Sequence, residues 1–430
     1  MKRIFTLIIA SALFAVSMQA QEGNGPANSQ EINKESKKTQ PKTGWNFGFL
    51  PAVSYSSDLG LQYGALCDIY CYSDGKQYPG YYHKFNVEIS TYTKGMSTFH
   101  VFYDSKYLIP GIRVTSAVTY QPDGKYSFYG FNGYESKFDY DAPNSFYFMR
   151  RNTFRALADF QGEIIKGSGL RWAAGLTFWD YKTGATDAEN VDISQTLYGQ
   201  YVNAGVISRN EADGGRHIEV KYGIVYDTRD IEAAPTRGIW AELYGTSSPD
   251  IFGTGYHYTR AIAHWRQYVP LASDKLVFAY HLAYQGLAHG EMPFYALSNI
   301  PTMYLKQITS EGLGSKNTVR GTLRNRINAN GYAWSNMELR IKLVSFDFIN
   351  QHWYVATNPF FDMGIITDEY EHNGVALTNL GEETAKLHSS VGAGLKIVMN
   401  HNFIISAEKG QPLNKQDGPG GMAIGLNYIF

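Results

Sequence analysis

The sequence has little charge and almost no cysteine for its length. Charged residues make up 18% of 430 residues, below the roughly 25% of ordinary soluble domains. Basic and acidic residues nearly balance, at 38 and 39, so no basic surface is available to bind a phosphate backbone and we expect no nucleic-acid partner. The two cysteines, Cys67 and Cys71, lie too far apart in an extended strand for a disulfide.

The common metal, nucleotide and catalytic motifs are also missing. The sequence contains no Cys-x-x-Cys, His-Glu-x-x-His or Gly-x-x-x-x-Gly-Lys-Ser/Thr pattern, so we expect no metal and no cofactor. Eleven histidines are present, but none has a serine or acidic neighbour at a spacing that implies a triad. We therefore expect that the chain is not an enzyme.

Long apolar runs are absent beyond the first twenty residues, which excludes transmembrane helices. Lys2 and Arg3 precede the apolar run 4–16, and Ala20 precedes a polar stretch, a pattern typical of a secretory signal peptide over 1–20. Residues 21–44 carry almost no apolar side chains and are predicted to be a disordered periplasmic segment.

Aromatic residues and glycine, by contrast, are abundant: 33 Tyr, 24 Phe, 7 Trp and 43 Gly. From Trp45 onward the sequence alternates with period two, as strands with one apolar face do. The final segment shows this alternation, since one face carries Met422, Ile424, Leu426, Tyr428 and Phe430. A soluble sandwich would also alternate, so alternation alone leaves both architectures open.

The lengths of the connections favour a membrane barrel. We predict sixteen strands, at 45–56, 59–72, 80–93, 96–108, 111–121, 146–164, 168–181, 216–227, 238–247, 256–268, 275–287, 332–343, 352–363, 388–400, 402–408 and 421–430. Alternate connections are short, and the others hold nearly all the loop length. These features predict an all-β, 16-stranded antiparallel transmembrane β-barrel of the outer membrane over 45–430, with a periplasmic N-terminus.

Four motifs follow one another along the chain. The long loop 288–331 contains Glu291-Met292-Pro293-Phe294-Tyr295 and Asn317-Thr318-Val319-Arg320-Gly321-Thr322. The other three motifs are Asp227-Thr228-Arg229-Asp230 with Pro235-Thr236-Arg237-Gly238, Ser335-Asn336-Met337-Glu338-Leu339-Arg340, and Phe360-Phe361-Asp362-Met363-Gly364. In order and spacing the chain resembles the BamA/TamA superfamily of outer-membrane protein insertases and translocators.

The resemblance and the alternation together predict a clamp between loop and barrel. Alternation places Glu338 and Asp362 on inward faces, where Arg320 of a folded-back loop would reach both as charge-assisted hydrogen bonds. Val319 and Gly321 flank that arginine, and Gly321 would let the backbone approach the wall. The alternative is a solvated Arg320 with the two carboxylates as ordinary lumen lining. Thr322 stands where the family usually has an aromatic residue.

Family insertases carry periplasmic POTRA domains before the barrel. Between the predicted signal and Trp45 lie about two dozen residues, fewer than the roughly 40 that a small independent fold needs. We therefore expect a barrel-only member, in which clients are delivered by a separate periplasmic partner or captured at the barrel seam itself. Pro359 falls inside a predicted strand, which predicts a bulge or an edge at that point.

The resemblance implies a role in insertion or translocation of proteins, or in lipid handling, at the outer membrane. The expected partners are outer-membrane lipid and unfolded client proteins. The predicted working part is a lateral seam between the first and last strands, carrying Trp45, Gly421, Gly425 and Phe430, where glycine weakens the closing ladder. The alternative is a passive channel or structural barrel, because sixteen strands can enclose an aqueous lumen.

Overall fold

The computed structural model of the chain describes residues 42–78, 80–303, 312–349, 351–371, 386–400 and 403–430. The predicted signal peptide and most of the predicted N-terminal segment lie outside the described residues. No helix in the described part of the chain is long and apolar enough to cross a membrane.

The described residues form nineteen strands, almost all of which belong to one antiparallel sheet. The strands are β1 (Trp45–Pro51), β2 (Ser54–Ser56), β3 (Gly60–Cys71), β4 (His83–Tyr92), β5 (Ser97–Ile109), β6 (Ile112–Gln121), β7 (Tyr126–Ser127), β8 (Phe148–Glu163), β9 (Leu170–Gly184), β10 (Gly214–Asp227), β11 (Gly238–Ser248), β12 (Tyr258–Ser273), β13 (Leu276–Gly290), β14 (Gly331–Phe348), β15 (Gln351–Thr357), β16 (Phe360–Asp368), β17 (His388–Met399), β18 (Phe403–Pro412) and β19 (Gly421–Leu426).

Each strand of the wall pairs with its neighbours in sequence, and β19 pairs with β2 to close the sheet. β1 and β2 together make the first strand of the wall, and β15 and β16 together make the thirteenth. The short β7 pairs only with β8 and adds no strand to the wall. The prediction of a closed 16-stranded antiparallel barrel is therefore confirmed.

Alternating side chains separate the two faces of the wall. Leu282 and Tyr284 of β13 are 47% and 41% exposed on the outer face, whereas Ala279 and Gln285 are fully buried on the inner face. Polar side chains line the inner face elsewhere too, as Glu219 and others on β10 show. An apolar exterior and a polar interior are what a barrel in lipid requires.

The thirteenth strand of the wall is interrupted at Pro359. β15 ends at Thr357 and β16 begins at Phe360. Asn358 and Gly394 exchange backbone hydrogen bonds of 3.1 and 3.2 Å, and the carbonyl of Pro359 accepts a bond from Leu339 N. Proline has no N–H to donate to a ladder, so the strand is interrupted there. The predicted bulge or edge is wrong, because the pairing keeps one register across Pro359 and both neighbouring strands continue past it.

The last strand is shorter than predicted, and the assignment of strand through Phe430 is wrong. β19 ends at Leu426, and Asn427 has a positive φ of 70°. This left-handed residue, which asparagine tolerates better than most, turns 427–430 out of the wall. Tyr428 and Phe430 consequently lie buried in the lumen, at 8% and 4% exposure, rather than on the lipid face with Leu426.

Aromatic side chains fill the long-loop end of the barrel. Phe128 is 1% exposed and meets the rings of Phe131, Tyr198, Tyr201 and Phe294 edge to face, at centroid distances from 5.3 to 6.4 Å. Tyr198 and Tyr201 lie on helix α1 (Leu197–Asn203), and Phe294 begins the short helix α3 (Phe294–Leu297). Three separate loops thus pack into one cap.

A buried carboxylate ties two of these loops to the connection that follows β16. Glu211, on helix α2 (Arg209–Ala212), accepts hydrogen bonds from Phe294 N at 2.8 Å, from Ser208 N at 3.0 Å and from Tyr370 Oη at 3.3 Å. Burial raises the pKa of Glu211 even though these donors favour its ionised form. Its three donors come from three different loops.

The turn 228–237 covers part of the short-turn end. Asp230 accepts hydrogen bonds from Thr236 N at 3.0 Å and Thr236 Oγ1 at 2.5 Å, which fold the turn on itself. Ala234 is buried against Tyr428 and its neighbours on the inner wall. Arg113 Nη1 lies 3.7 Å from Glu232 Oε1, and this arginine and other nearby cations lower the pKa of Glu232 to about 2.

Replacing Phe128 with alanine tests the cap. We expect the substitution to remove about 3–5 kcal/mol of packing free energy, because a fully buried ring is lost, and to expose the loop containing residues 126–147 to protease. Limited proteolysis of the protein in liposomes measures this. Tyr140→Ala is the control, since Tyr140 is 52% exposed. Equal cleavage of the two variants would contradict the cap.

Candidate functional site

The loop between β13 and β14 enters the lumen and packs against the inner wall. Val319 near its tip is fully buried with Leu313, Ile327 and Trp334. A Cβ on Gly364 of β16 would lie 3.2 Å from Val319 Cγ2. The small wall residue therefore leaves the space that this part of the loop occupies.

Arg320 is 2% exposed and forms a bidentate pair with Asp362. Its Nε donates to Oδ2 at 2.7 Å and its Nη2 donates to Oδ1 at 2.8 Å. The backbone N–H of Arg320 donates to the same Oδ2 at 3.0 Å. Three bonds to one carboxylate fix both the side chain and the backbone of the loop tip.

Two further carboxylates share the remaining guanidinium nitrogen. Arg320 Nη1 donates to Glu338 Oε1 at 2.5 Å and to Glu408 Oε1 at 3.1 Å. Arg340 donates to the second oxygen of Glu338 at 2.9 Å, and Lys396 donates to Glu408 at 2.8 Å. Arg320, Arg340 and Lys396 thus face three carboxylates, and this balance is what burial of charge requires.

An aromatic ring also packs on the guanidinium. Arg320 Cζ lies 3.5 Å from the centroid of the Phe360 ring on β16. Thr322 itself is buried in the loop, at 1% exposure. The wall therefore supplies an aromatic contact to the loop tip, although Thr322 replaces the aromatic residue that the family pattern would place in the loop.

Gly321 brings the loop backbone onto the last two strands. Its φ is +87°, and a Cβ there would lie 2.3 Å from the carbonyl carbon of Gly410 on β18. A Cβ on Gly410 would in turn lie 2.3 Å from Arg320 O, and a Cβ on Gly421 of β19 would lie 3.5 Å from Gly321 Cα. These glycines let backbone pack directly against backbone.

The seam between the first and last strands is narrow. β19 and β2 share two residue pairs, Ala423 with Ser56 and Ile424 with Tyr55. Ser57 extends the contact by donating its N–H to Met422 O at 2.9 Å. By comparison, β18 pairs with β19 over six residue pairs on the other edge.

The predicted seam residues separate in the structure. Gly421 and Gly425 lie on β19, and a Cβ on Gly425 would be 3.9 Å from Ser54 Cβ. Trp45 lies on β1, which pairs with β3 but with no last-strand residue in the described chain. Phe430 is wrongly assigned to the seam, because the turn at Asn427 carries it into the lumen, where Arg340 Nη2 donates to its backbone oxygen at 2.7 Å.

Sequence reasoning missed Glu408, Lys396, Phe360 and Gly410 as members of the site. Alternation places Glu408 and Lys396 inward on adjacent strands, but neither belongs to a recognised motif. Charge balance could not have revealed them either, because Glu338 and Asp362 already balance Arg320 and Arg340, and Glu408 and Lys396 balance each other. Gly410 has no comparable signal, since its role depends on which strand the loop meets.

The described residues contain no group of three or more His, Cys, Asp or Glu side chains placed to hold a metal ion. Cys67 and Cys71 are both free and half-buried on β3. The contacts of Arg320, Arg340 and Lys396 form a charge-balanced hydrogen-bond network, in which loop and wall hold each other.

Comparison with known proteins identifies the architecture. The model of the Omp85 superfamily domain matches residues 80–427. The fold resembles BamA from Haemophilus ducreyi lacking POTRA domains 1–3, with a TM-score of 0.57 and 16% identity over 98% of this chain and 78% of that one. It also resembles CdiB from Escherichia coli, with a TM-score of 0.56 and 11% identity over 91% of this chain and 64% of that one.

No curated protein matches the sequence. The family match covers most of the chain, and the resemblance to BamA extends over nearly all of it. The barrel therefore lies in the outer membrane of a Gram-negative bacterium, and the chain belongs to the Omp85 superfamily.

Proposed function

We propose that this protein assists insertion or translocation of proteins at the outer membrane, with the seam between β2 and β19 as its working part. The observation that carries the proposal is the weak closure: two residue pairs join the strands there. Strand edges that open expose unpaired backbone, which can pair with an extended segment of a client. No enzymatic step is part of the proposal.

The first strand offers such an edge even in the closed barrel. β1 pairs with β3 along one side and has no partner along the other within the described residues. On its outer face Trp45, Phe47 and Phe49 are 55%, 60% and 61% exposed. An edge with apolar side chains facing lipid suits an incoming barrel strand, which has the same alternation.

The turn at Asn427 is what leaves this edge open. If the β2–β19 register continued, Tyr428 would lie opposite Pro51, which has no N–H to donate. Instead Asn427 N donates to Ile404 O at 3.0 Å on the other side, and the chain leaves the wall. Geometry and sequence thus both limit closure to the part of the first strand around β2.

The clamp gives the loop a fixed platform beside this seam. Arg320 holds the loop to β14, β16 and β18, while Gly321 contacts β18 and β19 directly. We propose that the clamp supports the last strand from inside while the seam opens. Loss of the clamp would then also affect the seam, because the loop would no longer support the last strand.

A passive channel is the second hypothesis, and the contents of the lumen weigh against it. Loop residues, the inward segment 427–430 and the turn 228–237 occupy the interior, and the aromatic cap packs over the long-loop end. These elements would all have to move to create an aqueous path.

We further propose that the short-turn end faces the periplasm and that a separate partner delivers clients there.

Substitution of Arg320 tests the clamp. The measurement is the rate at which an unfolded client barrel folds into liposomes that contain the protein, compared with empty liposomes. We expect Arg320→Ala to abolish most of the acceleration that the wild-type protein gives. The substitution leaves the buried carboxylate of Asp362 without its cation, which costs about 3–5 kcal/mol of stability. Arg320→Lys should retain part of the activity, because lysine keeps the charge but not the bidentate geometry.

Arg216→Ala is the matched control for the loss of an arginine, since Arg216 pairs with Asp180 at an exposed site. Each variant is first shown to be folded by protease resistance. If the wild-type protein does not accelerate client folding, the insertion role is wrong for the barrel alone. If Arg320→Ala accelerates folding as well as wild type does, the clamp has no part in it.

A disulfide across the seam tests lateral opening. Ser54→Cys with Gly425→Cys, in a background with Cys67→Ser and Cys71→Ser, places two Cβ atoms about 3.9 Å apart, within the range of natural disulfides. We expect the oxidised protein to lose client folding activity and the reduced protein to recover it. The control disulfide is Thr91→Cys with Ser97→Cys, a cross-strand pair away from the seam. Full activity of the oxidised seam variant would refute lateral opening.

A further inference from the structure

The loop from β13 to β14 contacts the strands on both sides of the seam. On the last-strand side, Leu323 N donates to Asp417 O at 3.0 Å, and a Cβ on Gly418 would lie 2.5 Å from Leu323 Cγ. Gly321 packs on Gly410 as described above. These contacts join the loop to the connection between β18 and β19.

On the first-strand side, one carboxylate makes the connection. Asp58 lies in the turn after β2, and its Oδ2 accepts a hydrogen bond from Ser315 Oγ at 3.0 Å. Its Oδ1 accepts a bond from Arg324 N at 3.2 Å. The Nη1 atom of Arg324 donates to Asp123 at 2.7 Å. The Asp58 carboxylate thus accepts hydrogen bonds from a backbone N–H and from a hydroxyl of the loop.

The position of Asp58 links these bonds to closure of the barrel. The preceding residue, Ser57, donates its N–H to Met422 O at 2.9 Å, and its hydroxyl oxygen accepts a bond from Met422 N at 2.9 Å. These are the contacts nearest the long-loop end of the seam. Fixing Asp58 therefore restrains Ser57 where it meets the last strand.

We propose that Asp58 is a positioning residue for the seam: its carboxylate fastens the first strand to the loop that the Arg320 clamp holds to the opposite wall. The loop then spans the long-loop end of the seam as a clasp, and opening there requires release of the hydrogen bonds that Asp58 accepts from Ser315 and Arg324. The functional meaning of the clasp rests on the proposed function. Whether the clasp holds the seam closed is a property of the barrel alone, and it is measured without any client.

Seam opening is measured as the distance between spin labels in the full protein in nanodiscs. The labels are placed on Ser54→Cys and Gly425→Cys in the background lacking the native cysteines. We expect Asp58→Ala to increase the separated population about tenfold, because hydrogen bonds to a charged acceptor are lost. Asp58→Asn, which keeps one acceptor oxygen and loses the charge, is expected to give a smaller increase.

Asp250→Ala is the matched control. Asp250 also accepts backbone hydrogen bonds, from Thr254 N at 2.7 Å and Gly255 N at 2.9 Å, but within a loop that does not meet the seam. We expect this variant to leave the label distance unchanged. A pair of labels on Thr91→Cys and Ser97→Cys reports whether Asp58→Ala has loosened the whole barrel, and we expect no change there.

An unchanged seam distance in folded Asp58→Ala would overturn the clasp, whatever the protein does to clients. Should Asp58→Ala fail to fold, Ser315→Ala removes the hydroxyl bond alone and must still shift the distribution towards the separated state. Equal loosening at both label pairs would show that Asp58 acts on overall stability and would also refute the proposal. Loss of client activity with an intact clasp would count against the proposed function only.

Discussion

The structure depends on a single buried guanidinium. Arg320 lies on a loop, yet it is enclosed by Asp362, Glu338 and Glu408 of three different wall strands. If the arginine withdrew, Arg340 and Lys396 would still pair with Glu338 and Glu408 but Asp362 would lose its cation, so loop and wall each require the other. This mutual requirement explains why a long loop, which would otherwise have little reason to enter a barrel, is held there along much of its described length.

The fixed loop compensates for a wall that is nearly open. Most neighbouring strands are joined by long ladders, whereas β2 and β19 share two residue pairs. The loop lies across the inside of this junction, and its Gly321 replaces side-chain contacts with direct packing on Gly410. Closure of the barrel is therefore divided between a short ladder within the wall and a loop inside it, and the two can be weakened separately.

Local patterns predicted much of this structure, and non-local geometry accounts for what they did not. Period-two alternation revealed the strands and the inward direction of Glu338 and Asp362, because side-chain direction in a strand is a local property. It could not reveal Glu408, whose role depends on which strand meets the loop. It also continued the last strand to Phe430, since alternating residues persist beyond Asn427. The left-handed backbone of Asn427 turns Tyr428 and Phe430 into the lumen, whereas the alternation predicted that they face lipid.

The departure of 427–430 from the wall leaves the edge of β1 without a ladder partner among the described residues, which is costly in lipid because backbone groups there find no water. The chain nevertheless favours this arrangement. Pro51 cannot donate to a ladder, while inside the lumen Tyr428 and Phe430 both pack against the guanidinium of Arg340. The inward position therefore gives both rings a contact with a buried cation. Under the proposed function, the edge of Trp45–Pro51 is then available to an incoming strand, because the described last strand is already engaged elsewhere.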